Sequence, residues 1–198
     1  MDLLRSLWFH CNVLRSTYEN QDCSLARALE IIGERWTLLI MRDAFYGVRR
    51  FNDFFAHLDA PRSVLSGRLT ALVGAGLLVR RPDPDHGGRH LYEVTDKGKT
   101  LWPALYALRT WGEQQAADDR EPRRVFKHAC CGEPLDPTAR CGRCEVVPDP
   151  TDVAVHPVGV PGEGARTDPV AMGLRKPHRL LTPLPETDVA PETEPAFA

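Results

Sequence analysis

The chain has 198 residues, 42% of them hydrophobic, and a formal net charge of −2. This length allows one domain of ordinary size with an appendage, and the small net charge by itself indicates no polyanionic partner. The charge is split, however. Residues 23–117 hold 13 Lys and Arg against 10 Asp and Glu, a net of +3, whereas residues 148–198 hold 4 against 8, a net of −4. A mildly basic body leaves nucleic-acid binding open.

Neither a membrane segment nor a secretory signal is predicted. The apolar stretch LLRSLWFHCNVL near the N-terminus is too short and too interrupted to span a bilayer. Residues 1–22, which end in the polar motif TYENQD, are expected to form an N-terminal extension. The chain is therefore expected in the cytoplasm, where clustered cysteines more often bind metal than form disulfides.

Three helices are predicted before residue 60 from the spacing of their apolar residues. Asp22 is a good N-cap for the first helix, Gly33 can close it, and the second helix ends near Gly47. Asp59 and Ala60 interrupt the third helix. The apolar positions, helix by helix, are Leu25, Ala28, Leu29 and Ile32, then Trp36, Leu39 and Ile40, then Phe51, Phe54, Phe55 and Leu58.

A fourth helix is predicted to begin around Pro61, a residue suited to a helix start, and to end at Gly76. The period then changes, because LLVRR and RHLYEVT have the composition of two short strands, and the turn-rich PDPDHGG joins them. The buried face of the fourth helix is expected to carry Leu65, Leu69, Leu72 and Val73.

Thr95 can cap a final helical region, in which Pro103 should kink or divide the helix because it removes one backbone hydrogen bond. The order of elements predicts a mainly α fold with a small β hairpin, a winged helix-turn-helix. Its first and last helices have more apolar surface than the small core can cover, so dimerisation through these helices is expected. The apolar face of the last helix carries Leu101, Leu105 and Leu108.

DNA binding is predicted from the charges of this unit. The second helix of a helix-turn-helix lies in the major groove, which here predicts a recognition helix over about 61–75 and a wing over 77–94. Arginine can donate two hydrogen bonds to guanine, and serine is short and adaptable. The preceding helix, which typically crosses the DNA backbone, begins at an arginine, and two more flank the wing. The predicted DNA contacts are Arg50, Arg62, Ser63, Ser66, Arg68, Thr70, Arg81 and Arg89.

Several motifs lie in register between Cys23 and Trp111, close to half of the chain: the leading Cys, GERWTLLIMRD, RRFNDF, VLSGRL, LVGAGLL and TDKG. On these motifs the chain resembles the HxlR-type winged helix-turn-helix transcriptional regulators, relatives of the MarR group. The resemblance implies a homodimeric regulator of double-stranded DNA, commonly a repressor, on a two-fold symmetric operator. A small-molecule or electrophile effector would fit it. The chain departs from the family pattern at Pro61, where a Ser-like cap is usual, and at Gly67.

Cys23 is a candidate thiol sensor. Some HxlR-type regulators resemble redox or electrophile sensors that use a Cys near the start of the first helix, and Cys23 matches that position. A helix N-terminus stabilises the thiolate. The alternative is a packed or merely tolerated thiol, which the adjacent Asp22 favours because its charge disfavours the thiolate.

A structural zinc site is predicted in KHACCGEPLDPTARCGRCEVV, which contains His128-x2-Cys131, a gap of nine residues and Cys141-x2-Cys144. Zinc takes four such ligands tetrahedrally, and four protein ligands leave no position for chemistry. Some HxlR-type proteins carry a similar His/Cys ribbon. Cys130 is an alternative to His128, and a ribbon without metal or a redox CGRC motif, which lacks βαβ context, are the other interpretations.

The tail is expected to be disordered. Ten of the seventeen prolines lie in residues 148–198, which show no helical or strand periodicity and too little apolar surface to offset the entropy of ordering. The predicted division is an extension (1–22), a winged helix-turn-helix domain with flanking dimerisation helices (23–120), a zinc-ribbon-like segment (121–147) and the tail (148–198).

The main functional hypothesis is a dimeric repressor of transcription. The alternative is a winged-helix and zinc-ribbon adaptor that binds proteins of the transcription machinery. An enzyme is not predicted, because the sequence has no paired carboxylates in a cleft motif, no phosphate-cradling Gly loop and no Ser/His/Asp signature.

Overall fold

The computed structural model describes Tyr18 and residues 20–115, 124–159 and 166–184. The helices are α1 (Ser24–Ile32), α2 (Thr37–Phe45), α3 (Phe51–Leu58), α4 (Arg62–Gly74), α5 (Asp96–Lys99), α6 (Trp102–Gln115) and α7 (Pro169–Gly173). The strands are β1 (Leu78–Pro82), β2 (His90–Val94), β3 (Arg124–His128), β4 (Val153–Pro157) and β5 (His178–Arg179). Within these residues, every helix is too short or too polar to cross a bilayer.

The predicted winged helix-turn-helix is confirmed by α1 to α6 and the antiparallel hairpin β1–β2, in which Leu78 is opposite Val94. The turn between α3 and α4 is tight because Asp59 adopts the left-handed conformation, with φ 54°, which a short polar side chain tolerates. The wing is joined to the start of α3 by a bridge between Arg50 and Leu91. Helix α4 contacts both α3 and the hairpin strand β1.

The start of α1 differs from the prediction. The N-cap is Cys23 rather than Asp22, whose carboxylate binds Arg27 at 3.2 Å instead. Leu25 and Leu29 were expected in the core, but they are 66% and 38% exposed, and Ala26 is the buried residue of this helix. Helical spacing gives α1 an apolar face, of which Ile32 packs against the core while Leu25 and Leu29 stay exposed among the described residues.

Pro103 divides the last helical region, as predicted. The Thr95 hydroxyl accepts a hydrogen bond from the backbone N–H of Gly98 at 3.0 Å and caps the short helix α5. The longer helix α6 then begins one residue before Pro103, where a missing N–H costs nothing. Leu108 of α6, expected on the buried face, is 49% exposed.

The prediction that the chain after residue 148 is disordered is wrong for residues 148–159 and 166–184. A 3-10 turn (Pro150–Asp152), β4, α7 and β5 lie there, and β4 is the central strand of an antiparallel sheet in the order β3-β4-β5. The physical reason is that a few apolar residues, two of which alternate along β4, bury themselves against the rest of the molecule. They are Val153, Val155, Val170, Leu174 and Leu180, each at most 3% exposed.

The predicted extension 1–22 lies largely outside the described residues, and so do residues 160–165 and 185–198 of the predicted tail. The predicted boundary at residue 147 falls inside one sheet, because β3 pairs with β4 from Arg124 opposite Pro157 to His128 opposite Val153. The cysteine-rich segment is therefore continuous with the chain that follows it.

Aromatic packing around Phe126 of β3 joins this sheet to the helix-turn-helix. The Phe126 ring lies 5.5 Å from that of Trp102 and 5.4 Å from that of Tyr106, both in α6. It also stacks on Tyr46 at the end of α2, with ring centroids 6.4 Å apart. Each such pair contributes roughly 0.5–1.5 kcal/mol beyond burial. One hydrophobic core therefore serves both parts of the molecule.

Candidate nucleic-acid interface and metal centre

Helix α4 has two contrasting sides. Leu65, Leu69 and Leu72 are at most 1% exposed, because they pack against α2, α3 and the wing. The opposite flank faces solvent, and the Thr70 hydroxyl donates to the Ser66 carbonyl oxygen at 2.9 Å. The solvent-exposed residues of this flank are Arg62, Ser63, Ser66, Gly67 and Thr70.

Arg62, the first residue of α4, is held by aromatic rings of α3. Its guanidinium lies 4.3 Å from the ring centroid of Phe55 and 6.0 Å from that of Phe51. A cation over an aromatic face is attracted by the ring quadrupole, by about 0.5–1 kcal/mol at an exposed site. The contact orients an exposed positive charge at the beginning of α4.

Arg68 is also on α4, but it is engaged within the protein. Its guanidinium lies 3.6 Å from the Glu34 carboxylate in the α1–α2 connection, and the Arg68 side chain is 32% exposed. An ion pair of this kind contributes little to stability, so Arg68 can exchange Glu34 for another anion at small cost.

Arg50 was predicted as a DNA contact, and it fastens the wing. Its Nε donates to Oδ2 of Asp83 at 3.0 Å, and the Asp83 side chain is fully buried. Burial raises the pKa of Asp83, but hydrogen bonds from Arg50 and from the backbone of Asp85 outweigh it, so that the pKa is lowered. Sequence reasoning treated Asp83 only as a turn former and missed this anchor. The sequence feature that could have indicated this anchor is a carboxylate in a stretch with arginines on both sides.

The wing carries two kinds of arginine. Arg81 donates to Glu93 across the hairpin at 3.0 Å, and Arg49 forms an ion pair with the same carboxylate. Arg89 is exposed, and its side chain has no ion pair among the described residues. Of the predicted wing contacts, Arg89 is therefore the one that can bind DNA without first leaving a carboxylate of the protein.

The four predicted metal ligands lie together. One ligand atom from each of His128, Cys131, Cys141 and Cys144 lies within 4.8 Å of all the others. Cys131 Sγ is 3.6 Å from His128 Nδ1 and 3.5 Å from Cys141 Sγ. Ligands on a tetrahedral zinc stand about 3.6–3.8 Å apart, given its usual bond lengths, so the cluster has nearly the required size. Cys130 is exposed and outside the cluster.

The thiols of the cluster differ in acidity. Burial raises the pKa of Cys141, but hydrogen bonds from the Cys144 backbone N–H, His128 and Cys131 outweigh it and lower this pKa to about 7. A hydrogen bond with Cys131 together with burial raises the pKa of Cys144 to about 12. The cluster thus favours the thiolate of Cys141 and disfavours a second thiolate at Cys144, which is the electrostatic situation that a divalent cation relieves.

Cys23 is exposed at the N-cap of α1. Its position beside the exposed apolar face of α1 agrees with the predicted location, and its role as a sensor stays a prediction.

The C-terminal segment, residues 166–184, is bound to the helix-turn-helix, which sequence reasoning did not foresee. Arg166 donates to the Asp59 carboxylate at 2.8 Å and to the Ala56 carbonyl oxygen at 2.9 Å. Asp168 contacts His57 of α3 at 2.9 Å. Further along, the backbone N–H of Leu181 donates to Phe45 at 2.7 Å. The segment therefore crosses from the end of α3 to the end of α2.

Comparison with known proteins identifies the family. The HxlR-like helix-turn-helix family matches residues 31–120. The uncharacterized HTH-type transcriptional regulator Rv3095 of Mycobacterium tuberculosis is 44% identical over 121 residues, which cover 61% of this chain and 77% of the relative. YvaP of Bacillus subtilis, another uncharacterized HTH-type transcriptional regulator, is 35% identical over 89 residues, which cover 44% of this chain and 82% of the relative.

A solved structure has a similar fold. PA1607, described as a candidate transcription factor, matches with a TM-score of 0.55 and 37% sequence identity over 63% of this chain and 88% of that one. The family match, the relatives and the exposed polar flank of α4 agree with each other. The chain belongs to the HxlR-like helix-turn-helix family, and it is a transcriptional regulator with a helix-turn-helix DNA-binding domain.

Proposed function

We propose that this protein is a dimeric, sequence-specific repressor that reads DNA with α4 in the major groove and the hairpin β1–β2 as a wing. One observation carries the proposal: Leu65 and Leu69 of α4 are fully buried while its opposite flank is exposed. A helix anchored in this way can present polar side chains to base edges without losing its place in the core.

The arginines have different proposed roles. Arg62, oriented by its contact with Phe55, donates to a guanine at the start of the recognition helix. Arg68 leaves Glu34 to meet the DNA, and Arg89 contacts the backbone from the wing. Arg50 and Arg81 act mainly by holding the wing in position, because each already binds a carboxylate. Ser63, Ser66 and Thr70 make shorter contacts.

The proposed dimer uses α1 and α6. These two helices present large apolar side chains to solvent: Leu25, Leu29, Ile31, Leu108 and Trp111. An exposed apolar patch of this kind is typical of a protein interface, and a two-fold dimer would recognise a two-fold symmetric operator. Repression follows if such a dimer occupies DNA that the transcription machinery needs.

Substitution at the proposed dimer interface tests the assembly. Trp111→Glu places a charge in that apolar face, so we expect dissociation to be at least about tenfold easier, the effect of losing a central aromatic anchor. Val147→Glu, at another exposed apolar residue, is the matched control. Sedimentation measures the dissociation of both variants.

A quinone should change the DNA affinity of the unaltered protein but not of Cys23→Ala, and equal responses would leave Cys23 without a sensing role.

The proposed metal is one structural zinc ion per chain, held by His128, Cys131, Cys141 and Cys144. When bound, it supplies charge neutralisation for the thiolates and fixes the turns that carry them. Because the cluster follows directly on β3, and Phe126 of β3 packs on α6, we infer that the ion supports the shape of the DNA-binding unit as well.

The decisive experiment selects a preferred sequence from random duplexes and footprints the protein on it. Arg62→Ala should weaken the selected complex by about 1–3 kcal/mol and random DNA much less. Arg140→Ala, which removes an exposed arginine of the cysteine-rich segment, should not change the preference. Equal losses on both DNAs would mean that Arg62 touches only phosphate. No preferred sequence at all would favour the adaptor hypothesis.

A further inference from the structure

The C-terminal segment has a charge distribution that its contacts with α3 do not require. Residues 169–184 contain Arg175, Lys176 and Arg179 and no Asp or Glu. All three side chains are exposed. Arg175 donates to the carbonyl oxygen of Arg166 at 3.1 Å, and none of the three forms an ion pair with a carboxylate among the described residues. They form a basic patch on a segment that is fixed by the buried side chains of Val170, Leu174 and Leu180.

The patch begins beside the helix-turn-helix at Arg175 and continues to Arg179 on β5, opposite Ala154 of β4. Arg166, which accepts the hydrogen bond from Arg175, contacts Ala56 and Asp59 at the end of α3. Asp59 is three residues before Arg62, where α4 begins. The segment is therefore anchored at the turn that joins the two helices of the motif, on the side of α3.

Arg166 itself is neutralised. Its guanidinium binds the carboxylates of Asp59 and Asp168 at 2.8 Å and 3.0 Å. Two carboxylates around one guanidinium make this contact an anchor within the protein. The uncompensated charge is that of the three residues further along the segment.

The proposed DNA-binding mode would bring a DNA duplex, a polyanion, to this side of the molecule. The first helix of a helix-turn-helix crosses the phosphate backbone, and half or more of protein–DNA hydrogen bonds go to phosphate and sugar. An exposed basic patch anchored to that helix is complementary to the same backbone.

We propose that Arg175, Lys176 and Arg179 form a second DNA-contacting surface, which binds backbone phosphates next to those met by the helix-turn-helix. The inference rests on the proposed DNA-binding mode. The surface adds affinity and orientation without reading sequence, since phosphate contacts are common to every sequence. The C-terminal segment then serves as an extension of the DNA-binding unit.

The test neutralises two side chains that form no hydrogen bond with any of the described residues. Lys176→Gln with Arg179→Gln should lower affinity for the selected duplex and for random DNA by a similar factor. Each lost phosphate contact should reduce the slope of log affinity against log salt by about 0.9, so the pair should reduce it by roughly 1–2. Fluorescence anisotropy across a salt series measures both quantities in the full-length protein.

Two control variants separate the proposal from a general charge effect. Arg140→Gln with Arg143→Gln removes the same charge from exposed residues of the cysteine-rich segment and should leave the slope nearly unchanged. Lys176→Arg with Arg179→Lys keeps both charges and should bind as the unaltered protein does. Equal slope changes in the two neutralised pairs would overturn the inference.

The remaining outcomes are also decisive. Unchanged or raised affinity in the neutralised pair, with its circular dichroism and melting temperature preserved, would overturn the inference. If the unaltered protein prefers no sequence, the repressor proposal fails. A reduced salt slope in the same experiment would still support the patch as a phosphate-binding surface.

Discussion

The helix-turn-helix and the chain after residue 123 share one core but build it differently. In the first region, apolar residues recur at helical spacing, and the helices that result leave some apolar surface uncovered on α1 and α6. In the second region, strands of two to five residues and a five-residue helix are held by a His/Cys cluster and by single buried side chains. The first region should therefore tolerate the loss of a single side-chain contact, whereas the second region depends on a few specific contacts.

Removing the metal ligands should separate the two regions most clearly. Cys141→Ser with Cys144→Ser should abolish zinc binding, because zinc needs the thiolates. It should also lower the melting temperature more than the loss of the Phe126 ring or of the Asp168 carboxylate. Apparent binding free energies of structural zinc in small peptides are about 10–16 kcal/mol. Metal analysis and calorimetry measure the two effects.

Cys130→Ser is the matched control for this experiment, because Cys130 is exposed and outside the cluster. It should keep about one zinc per chain and the unaltered melting temperature. Full metal content in the double serine variant would refute the ligand assignment.

Phe126→Ala tests whether the two regions form one core. Phe126 is 2% exposed and contacts aromatic rings of α2 and α6, so its loss should reduce the free energy of unfolding by about 3–5 kcal/mol. Chemical denaturation should show one transition that shifts as a whole. A second transition, with the helix-turn-helix unfolding unchanged, would show that the regions are independent. Val146→Ala, at an exposed position, should have little effect.

The ion pairs of Asp168 give the smallest expected effect and a dependence on pH. Burial raises the pKa of Asp168, but hydrogen bonds from the Ala171 backbone N–H, Arg166 and His57 lower it by more. The pKa therefore lies below its ordinary value of 3.8. A carboxyl of this kind contributes stability above its unfolded pKa, and the contribution is lost as the pH falls through the folded pKa. The loss should therefore occur below pH 3.8.

Asp168→Asn isolates this contribution, because asparagine can still cap α7 but cannot form the ion pairs. We expect it to lose about 1 kcal/mol at neutral pH, as for a partly exposed pair, and to approach the unaltered protein in acid. Unfolding by urea at several pH values measures the difference. A constant difference across the range would mean that the charge of Asp168 does not hold the C-terminal segment.

The sequence predicted the first region well because hydrophobic periodicity reports directly on helices. The leucines of α4 were identified from their spacing and the division at Pro103 from its missing backbone N–H. The His/Cys cluster was identified from its spacing too, with Cys130 left as an alternative to His128. The errors concern which apolar faces are covered. Leu25 and Leu108 have the right spacing for a core, but spacing does not tell whether the covering surface is in the same chain.

Charge was harder to predict than burial. Arg50 and Arg62 were both expected to meet DNA, yet Arg50 is bound to a buried carboxylate 33 positions later in the chain, while Arg62 lies over a neighbouring aromatic ring. A sequence gives the sign of each charge but not its nearest neighbour. Long-range ion pairs therefore decide which arginines remain available.

The sequence by itself determined the helix-turn-helix, the family and the candidate His/Cys cluster, because these depend on local spacing and on side-chain chemistry; the choice of His128 over Cys130 came from the structure. Only the tertiary structure decided that the proline-rich segment is ordered and lies along α3 and the end of α2. Helix α7 contacts α3, more than 100 positions away, and Arg166 and Asp168 gain their ion pairs from residues 107 and 111 positions away. No local pattern encodes such contacts, since the surfaces that complete them exist only after the chain has folded.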